Sequence, residues 1–148
     1  MDALDLDVRR HVYRSVVDDG RPASVSEAAA ALGRSAADVA GAYQRLHEAR
    51  ALVLHPGTTD VWMANPFSAV ETPHRVRAGT RQWFANCAWD ALGIPAALHA
   101  DGDVESECAC CGERVALSVR DGALARGAEL LVHILMPARR WWDDIGFT

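Results

Sequence analysis

The chain has 148 residues, 50% of them hydrophobic and 24% charged, which is the composition of a folded globular protein and excludes a disordered segment. Its net charge is −5 and all 15 cations are Arg, so the chain as a whole has no electrostatic pull toward nucleic acid or an acidic membrane surface. No apolar run reaches the ~18 to 20 residues that a membrane helix needs, and the acidic start, "MDALDLDVRR", lacks the apolar core of a signal peptide. The expected location is therefore the cytoplasm. Cys87, Cys108, Cys110 and Cys111 are expected to be reduced there, and to serve metal binding or chemistry rather than disulfides.

In chain order, the first half reads as helices. "VRRHVYRSVVDDG" places Val8, Val12, Val16 and Val17 on one stripe and closes at Gly20. Ser24 or Ser26 then starts a short Ala-rich helix with Glu27 in its first turn. Gly33 makes a turn, and Ser35 caps a longer helix with Val39, Tyr43 and Leu46 at core spacing. "ALVLH" and "VWMAN", separated by "PGTTD", read as a β-hairpin. Helix, helix-turn-helix and wing together resemble a winged helix over residues 1–64. Its second helix brings Asp38 and no cation in "SAADVAGAY", where a major-groove reader presents Arg, Lys, Asn or Gln. Arg34, Gln44 and Arg45 are too few to make a DNA reader, so the module is read as packing, and nucleic acid is not expected as a partner.

Residues 65–82, "NPFSAVETPHRVRAGTRQ", form a junction broken by Pro66 and Pro73. Phe67, Val70 and Val76 suggest that it lies against the rest of the protein. Residues 83–148 mix types. "TRQWFANCAWDALGI" reads as a helix ending at Gly93, and "DVESECACCGERVALSVRDG" as two strands joined at the cysteines. Gly122 turns the chain, and the continuous apolar run "AELLVHILMP" reads as a central strand. His133 in that run is read as a hydrogen-bonded core residue, and the tryptophans of "WWDD" as packing against the core. The expected fold is α+β: a winged-helix-like part packed on an antiparallel sheet with one helix bearing Cys87.

Cys87 and Asp90 stand three positions apart in an apolar setting, and on a helix they project together. A carboxyl group kept partly from water has a raised pKa and can hold or deliver a proton. A thiolate beside it is a soft ligand, suited to soft metals. "CACCG" contains a C-x-x-C followed by Gly, half of a zinc knuckle, whereas a tetrahedral structural site needs four ligands. Cys87, His99 or His133 could complete one only if the fold brought them close. The plainer reading is a turn whose cysteines pack as small apolar groups.

On these residues the chain resembles the organomercurial (alkylmercury) lyase family. The likeness runs through the amino-terminal part, "NPFSAVETPH", "NCAWDALGIPAAL", the later Cys of "CACCGERVALSV", and "LLVHILMPARRWWDDIGFT". It implies protonolysis of a carbon–mercury bond, with Cys87 as the first catalytic cysteine, Asp90 as the catalytic aspartate and Cys108 as a structural cysteine. The family's second catalytic cysteine follows the segment matched by "WWDDIGFT", and no cysteine lies beyond Cys111 here. The chain is thus expected to be a member shortened at its carboxyl end. Cys110 and Cys111 are the extra thiols that could supply the missing sulfur, giving Cys87, Cys110 and Cys111 as expected metal ligands. No cofactor is required, although a soft ion (Hg, Cu or Zn) could sit on the cysteines. The expected partners are a small organometallic or other thiol-reactive substrate and cellular thiols. The alternatives are a related thiol-dependent lyase, a non-catalytic thiol metal-binding protein and, disfavoured by charge, a DNA-binding metal sensor.

Overall fold

The structure is a computed structural model that describes residues 1–146, so the last two positions of "WWDDIGFT" lie outside the described residues. Three helices open the chain. In α1, Ala3–Asp19, the Asp2 side chain accepts from the Asp5 N–H while the Asp5 carboxylate accepts from the Asp2 N–H, a reciprocal cap. Gly20 ends it with φ 75°, a left-handed conformation that suits glycine. Helix α2, Val25–Leu32, starts at Ser24, which forms the same kind of box with Glu27. Helix α3, Ala36–Glu48, starts at Ser35.

The expected apolar stripes are the buried ones: Val8, Val12 and Val16 on α1, and Val39, Tyr43 and Leu46 on α3. Tyr43 is buried whole, and its hydroxyl satisfies itself by donating to the Ala23 carbonyl at 2.8 Å. Two exposed polar residues of α3 bond to neighbouring elements. Arg45 donates through Nε and Nη2 to the Asp5 carboxylate at 2.9 and 2.6 Å, and Asp5 is only 1% exposed. Gln44 donates to the Thr58 carbonyl at 3.3 Å.

The expected hairpin follows as β1, Val53–Leu54, and β2, Val61–Ala64. It is the edge of a single antiparallel sheet that continues through β3 (Phe67–Ser68), β4 (Arg75–Ala78), β5 (Arg81–Ala85), β6 (Gly102–Glu107), β7 (Arg114–Arg120) and β8 (Ala123–Arg126). The spatial order is β1-β2-β3-β5-β4-β6-β7-β8. Residues 65–82 therefore supply β3, β4 and the start of β5. Trp83 on β5 ties the sheet to α1: its ring lies edge-on to Phe67 at 6.0 Å, and its Nε1 donates to the Val16 carbonyl at 2.9 Å. The mixed helix and antiparallel sheet is the α+β class expected. Among the described residues no helix is long and apolar enough to cross a membrane.

Two expected elements are corrected. "TRQWF" is strand, not helix: Gly79, with φ 59°, turns β4 into β5, and Trp83 and Ala85 are buried in alternation. Aromatic residues fit a pleated surface, and a short window cannot separate the two periods. The helix, α4, begins only at Ala88 and runs past Gly93 and Pro95 to Leu98, closing at His99. The second correction is "AELLVHILMP", which is no strand. After Gly127 the chain leaves the sheet, and Leu131 is 95% exposed, with Leu135, Ile134 and His133 also outside the core. No described strand hydrogen-bonds to it. A final 3₁₀ turn, Ala138–Asp143, brings the end back to the first half, where Trp142 lies under the Arg50 guanidinium at 5.3 Å. The Trp141 Nε1 donates to the Met136 carbonyl at 2.8 Å.

Candidate functional site

Cys87 does not sit within a helix turn. It is the residue before one, extended at φ −148° and ψ 176°, and its Sγ accepts from the Asp90 N–H at 3.4 Å. Asp90 is thus in the first turn of α4, folded back on the sulfur. The two groups meet as their spacing predicts, but through a cap rather than a shared helix face.

Opposing effects act on both groups. The positive end of α4 favours the thiolate and the carboxylate alike. Burial opposes it and wins. The Cys87 thiol is pushed above its ordinary range, chiefly by burial and then by the neighbouring Asp90 charge, against the backbone N–H groups of Asp90 and Trp89 that favour the thiolate. Asp90 is likewise raised from 3.8 by burial, while hydrogen bonds from Asn86 and Cys87 pull it back. Both side chains are half-buried, and burial holds each toward its protonated form.

The residues around Asp90 are ones that the spacing of cysteines does not reveal. Asn86 donates through Nδ2 to Asp90 Oδ2 at 3.2 Å and to Asn65 Oδ1 at 2.9 Å. Asn65 precedes the cis bond to Pro66, and its carbonyl accepts from the Tyr13 hydroxyl at 2.9 Å. Tyr13 itself is raised, mainly by burial, with the Asp90 charge also acting on it. A chain of contacts therefore runs from α1 through the segment before β3 and Asn86 to the Asp90 carboxylate. The sequence signal was the Asn immediately before Cys87, four positions ahead of Asp90, in "NCAWD". Asn86 Oδ1 is buried without a partner.

The other cysteines lie apart from this pair. Cys108, Cys110 and Cys111 occupy the turn between β6 and β7, the last two exposed and all four thiols free. The register places that turn at the same end of the sheet as Cys87. The Ala85 N–H donates to the His74 carbonyl at 2.9 Å, and His74 Nδ1 bonds the Ser106 hydroxyl at 2.7 Å, so the ends of β5 and β6 are level across β4. Two strand spacings separate those ends, about 10 Å. Among the described residues no three of His, Cys, Asp and Glu are grouped to hold a metal ion; Cys87 is not brought into one cluster with Cys110 and Cys111. His99 closes α4 at its far end, and His133 is exposed.

A surface cleft of 360 Å³ lies elsewhere, on α1 and α2, lined by His11, Arg14, Asp18, Arg21 and Glu27. Arg21 and Glu27 pair with each other at 2.6 Å, and Asp18 pairs with Arg81 at 3.0 Å. Cys87 and Asp90 remain the candidate site. Beside them Trp89 is 59% exposed, an apolar ring at the mouth of a polar pair.

The alkylmercury lyase (MerB) family model matches residues 67–148, a stretch that contains Cys87, Asp90 and the three-cysteine turn. Among solved structures, the chain is similar to the mercury-bound form of MerB2, with a TM-score of 0.71 and 26% identity. The similarity covers 87% of this chain and 62% of that one, so the chain spans less than two thirds of that structure's length. No curated protein matches.

Proposed function

The chain belongs to the alkylmercury lyase family, and on that premise we propose that it cleaves carbon–mercury bonds by protonolysis at Cys87 and Asp90. The observation that carries this reading is the cap at the start of α4, where the Asp90 N–H donates to the Cys87 Sγ and burial lifts both side chains toward their protonated forms, a soft nucleophile beside a proton carrier. An organomercurial R–Hg–X exchanges X for the Cys87 sulfur. A coordinated thiol loses its proton even where burial had raised its pKa, and Asp90 is the base that takes that proton while X leaves as the anion. The neutral carboxyl group that results is the form that burial favours. Asp90 then gives the proton to the carbon, the Hg–C bond breaks, and R–H departs. Hg(II) stays on Cys87 until cellular thiols remove it as a bis-thiolate.

Asn86 and the Asn65–Tyr13 contact orient the carboxylate in this scheme, and the exposed Trp89 offers the organic group an apolar surface. A second sulfur donor would weaken the Hg–C bond further. Among the described residues no other cysteine is grouped with Cys87, so within them the second donor is a thiol from solution.

The test is incubation with an arylmercurial and excess small thiol, following free arene. Multiple turnovers are expected, with Asp90→Ala slowed by roughly 100-fold or more, the usual worth of a placed proton donor. Tight mercury retention with no arene from the unaltered chain would replace this reading with that of a non-catalytic thiol metal-binding protein.

A further inference from the structure

The turn between β6 and β7 reads "CACCGE" and holds three of the four cysteines. Two backbone bonds close it: the Cys108 N–H donates to the Glu113 carbonyl, and the Gly112 N–H donates to the Cys108 carbonyl, both at 2.8 Å. Gly112 has φ 71°, which lets the chain reverse, and nothing lies within 4 Å of where a Cβ would stand. The turn faces solvent, so its cysteines are not apolar filler. Closed this way, it presents the backbone N–H groups of Cys111 and Cys110, and the Cys111 thiol itself, to the Cys108 sulfur. Cys110 contributes its N–H, while its side chain is exposed.

We propose that Cys108 and Cys111 form a two-sulfur clamp for a soft, two-coordinate cation, Hg(II) above all, with the Cys110 thiol outside it. Coordination number decides the metal. Zinc in a structural site takes four ligands, and the described residues offer no third one here. Hg(II) is satisfied by two thiolates, and sulfur is the donor that soft ions select. Loading needs no oxidant: Hg(SR)₂ exchanges both of its thiolates for the two protein sulfurs. Each departing thiolate takes the proton of one cysteine, releasing two RSH. The clamp lies at the same end of the sheet as Cys87 but outside the reacting pair, and it binds whether or not Cys87 performs any cleavage.

The experiment uses the full chain carrying Cys87→Ser, reduced and titrated with HgCl₂ against a competing monothiol. Retained metal is counted after desalting, and the thiolate-to-mercury charge-transfer absorption is followed. One Hg(II) per chain is expected to survive. Adding Cys111→Ser, a substitution at an exposed position, should cut retention by roughly tenfold or more, because the second sulfur acts at a high effective concentration. Cys108→Ser should do the same in protein whose circular dichroism is unchanged, and Cys110→Ser should leave retention intact. The clamp is overturned if the Cys87→Ser protein retains no mercury against the monothiol. It is equally overturned if Cys110→Ser removes the metal while Cys111→Ser keeps it.

Discussion

Asp90 raises the pKa of the thiol with which it works. Its charge and its acceptance of the Cys87 proton are the causes that follow burial in lifting that thiol. Asp90→Asn removes both, so the midpoint of Cys87 alkylation by iodoacetamide should move to lower pH while remaining above the ordinary range through burial. An unchanged midpoint would mean that the two side chains do not interact. Stability has its own sign. A carboxyl group whose folded pKa is raised contributes most when protonated, and the contribution is lost as pH rises through that folded pKa. Above that folded pKa the protein carries a half-buried carboxylate at a cost. The pairing of Cys87 with Asp90 was legible in the sequence because three residues is a fixed reach for the chain. Asn86, Asn65 and Tyr13 were not legible, because the contacts that join them depend on where α1 and the cis bond to Pro66 settle.

At the scale of elements, the contact between α4 and β6 positions the site from behind. Pro95 is buried on α4, and Gly102 at the start of β6 lies under it; a Cβ there would stand 2.7 Å from Pro95 Cγ and 3.3 Å from its Cβ. Gly102→Ala must push α4 or β6 away, and the expected loss is about 1–3 kcal/mol, the usual cost of overpacking. Urea unfolding reads it as a lower midpoint at unchanged slope; an unshifted midpoint would show that the contact yields freely. The elements also show what sequence periodicity can and cannot resolve. The sequence announced the caps of α2 and α3, the Gly20 stop of α1 and the apolar stripes of α1 and α3, but not the Asp2 cap of α1. Residues 81–85 are too short for period alone to distinguish strand from helix, and the decisive cue was Gly79 turning β4 back on itself. Residues 128–137 have the apolar run of a central strand, but a strand exists only by pairing, and no described strand bonds to them.

Across the whole molecule, the first half and the sheet are one packed body, joined by Trp83 on Val16, Tyr13 on Asn65 and the apolar core between α1, α3 and the strands. Within the helical half, the Arg45–Asp5 pair fastens α3 to the start of α1 around a carboxylate almost wholly removed from water. The guanidinium holds Asp5 below 3.8, so the pair's contribution is present at neutral pH and lost as pH falls through the depressed folded pKa. Arg45→Met leaves that buried charge unpaired, and the melting temperature should drop by roughly 5 °C or more at pH 7, with a smaller gap in acid. Equal drops at both pH values would show the loss to be one of packing alone. The proposed reaction at Cys87 belongs to this scale as well. Its most direct test is arene release from an arylmercurial under excess thiol, comparing the unaltered chain with Cys87→Ser. Repeated turnovers are expected in the first and none above the thiol-only rate in the second. Full turnover in Cys87→Ser would contradict it.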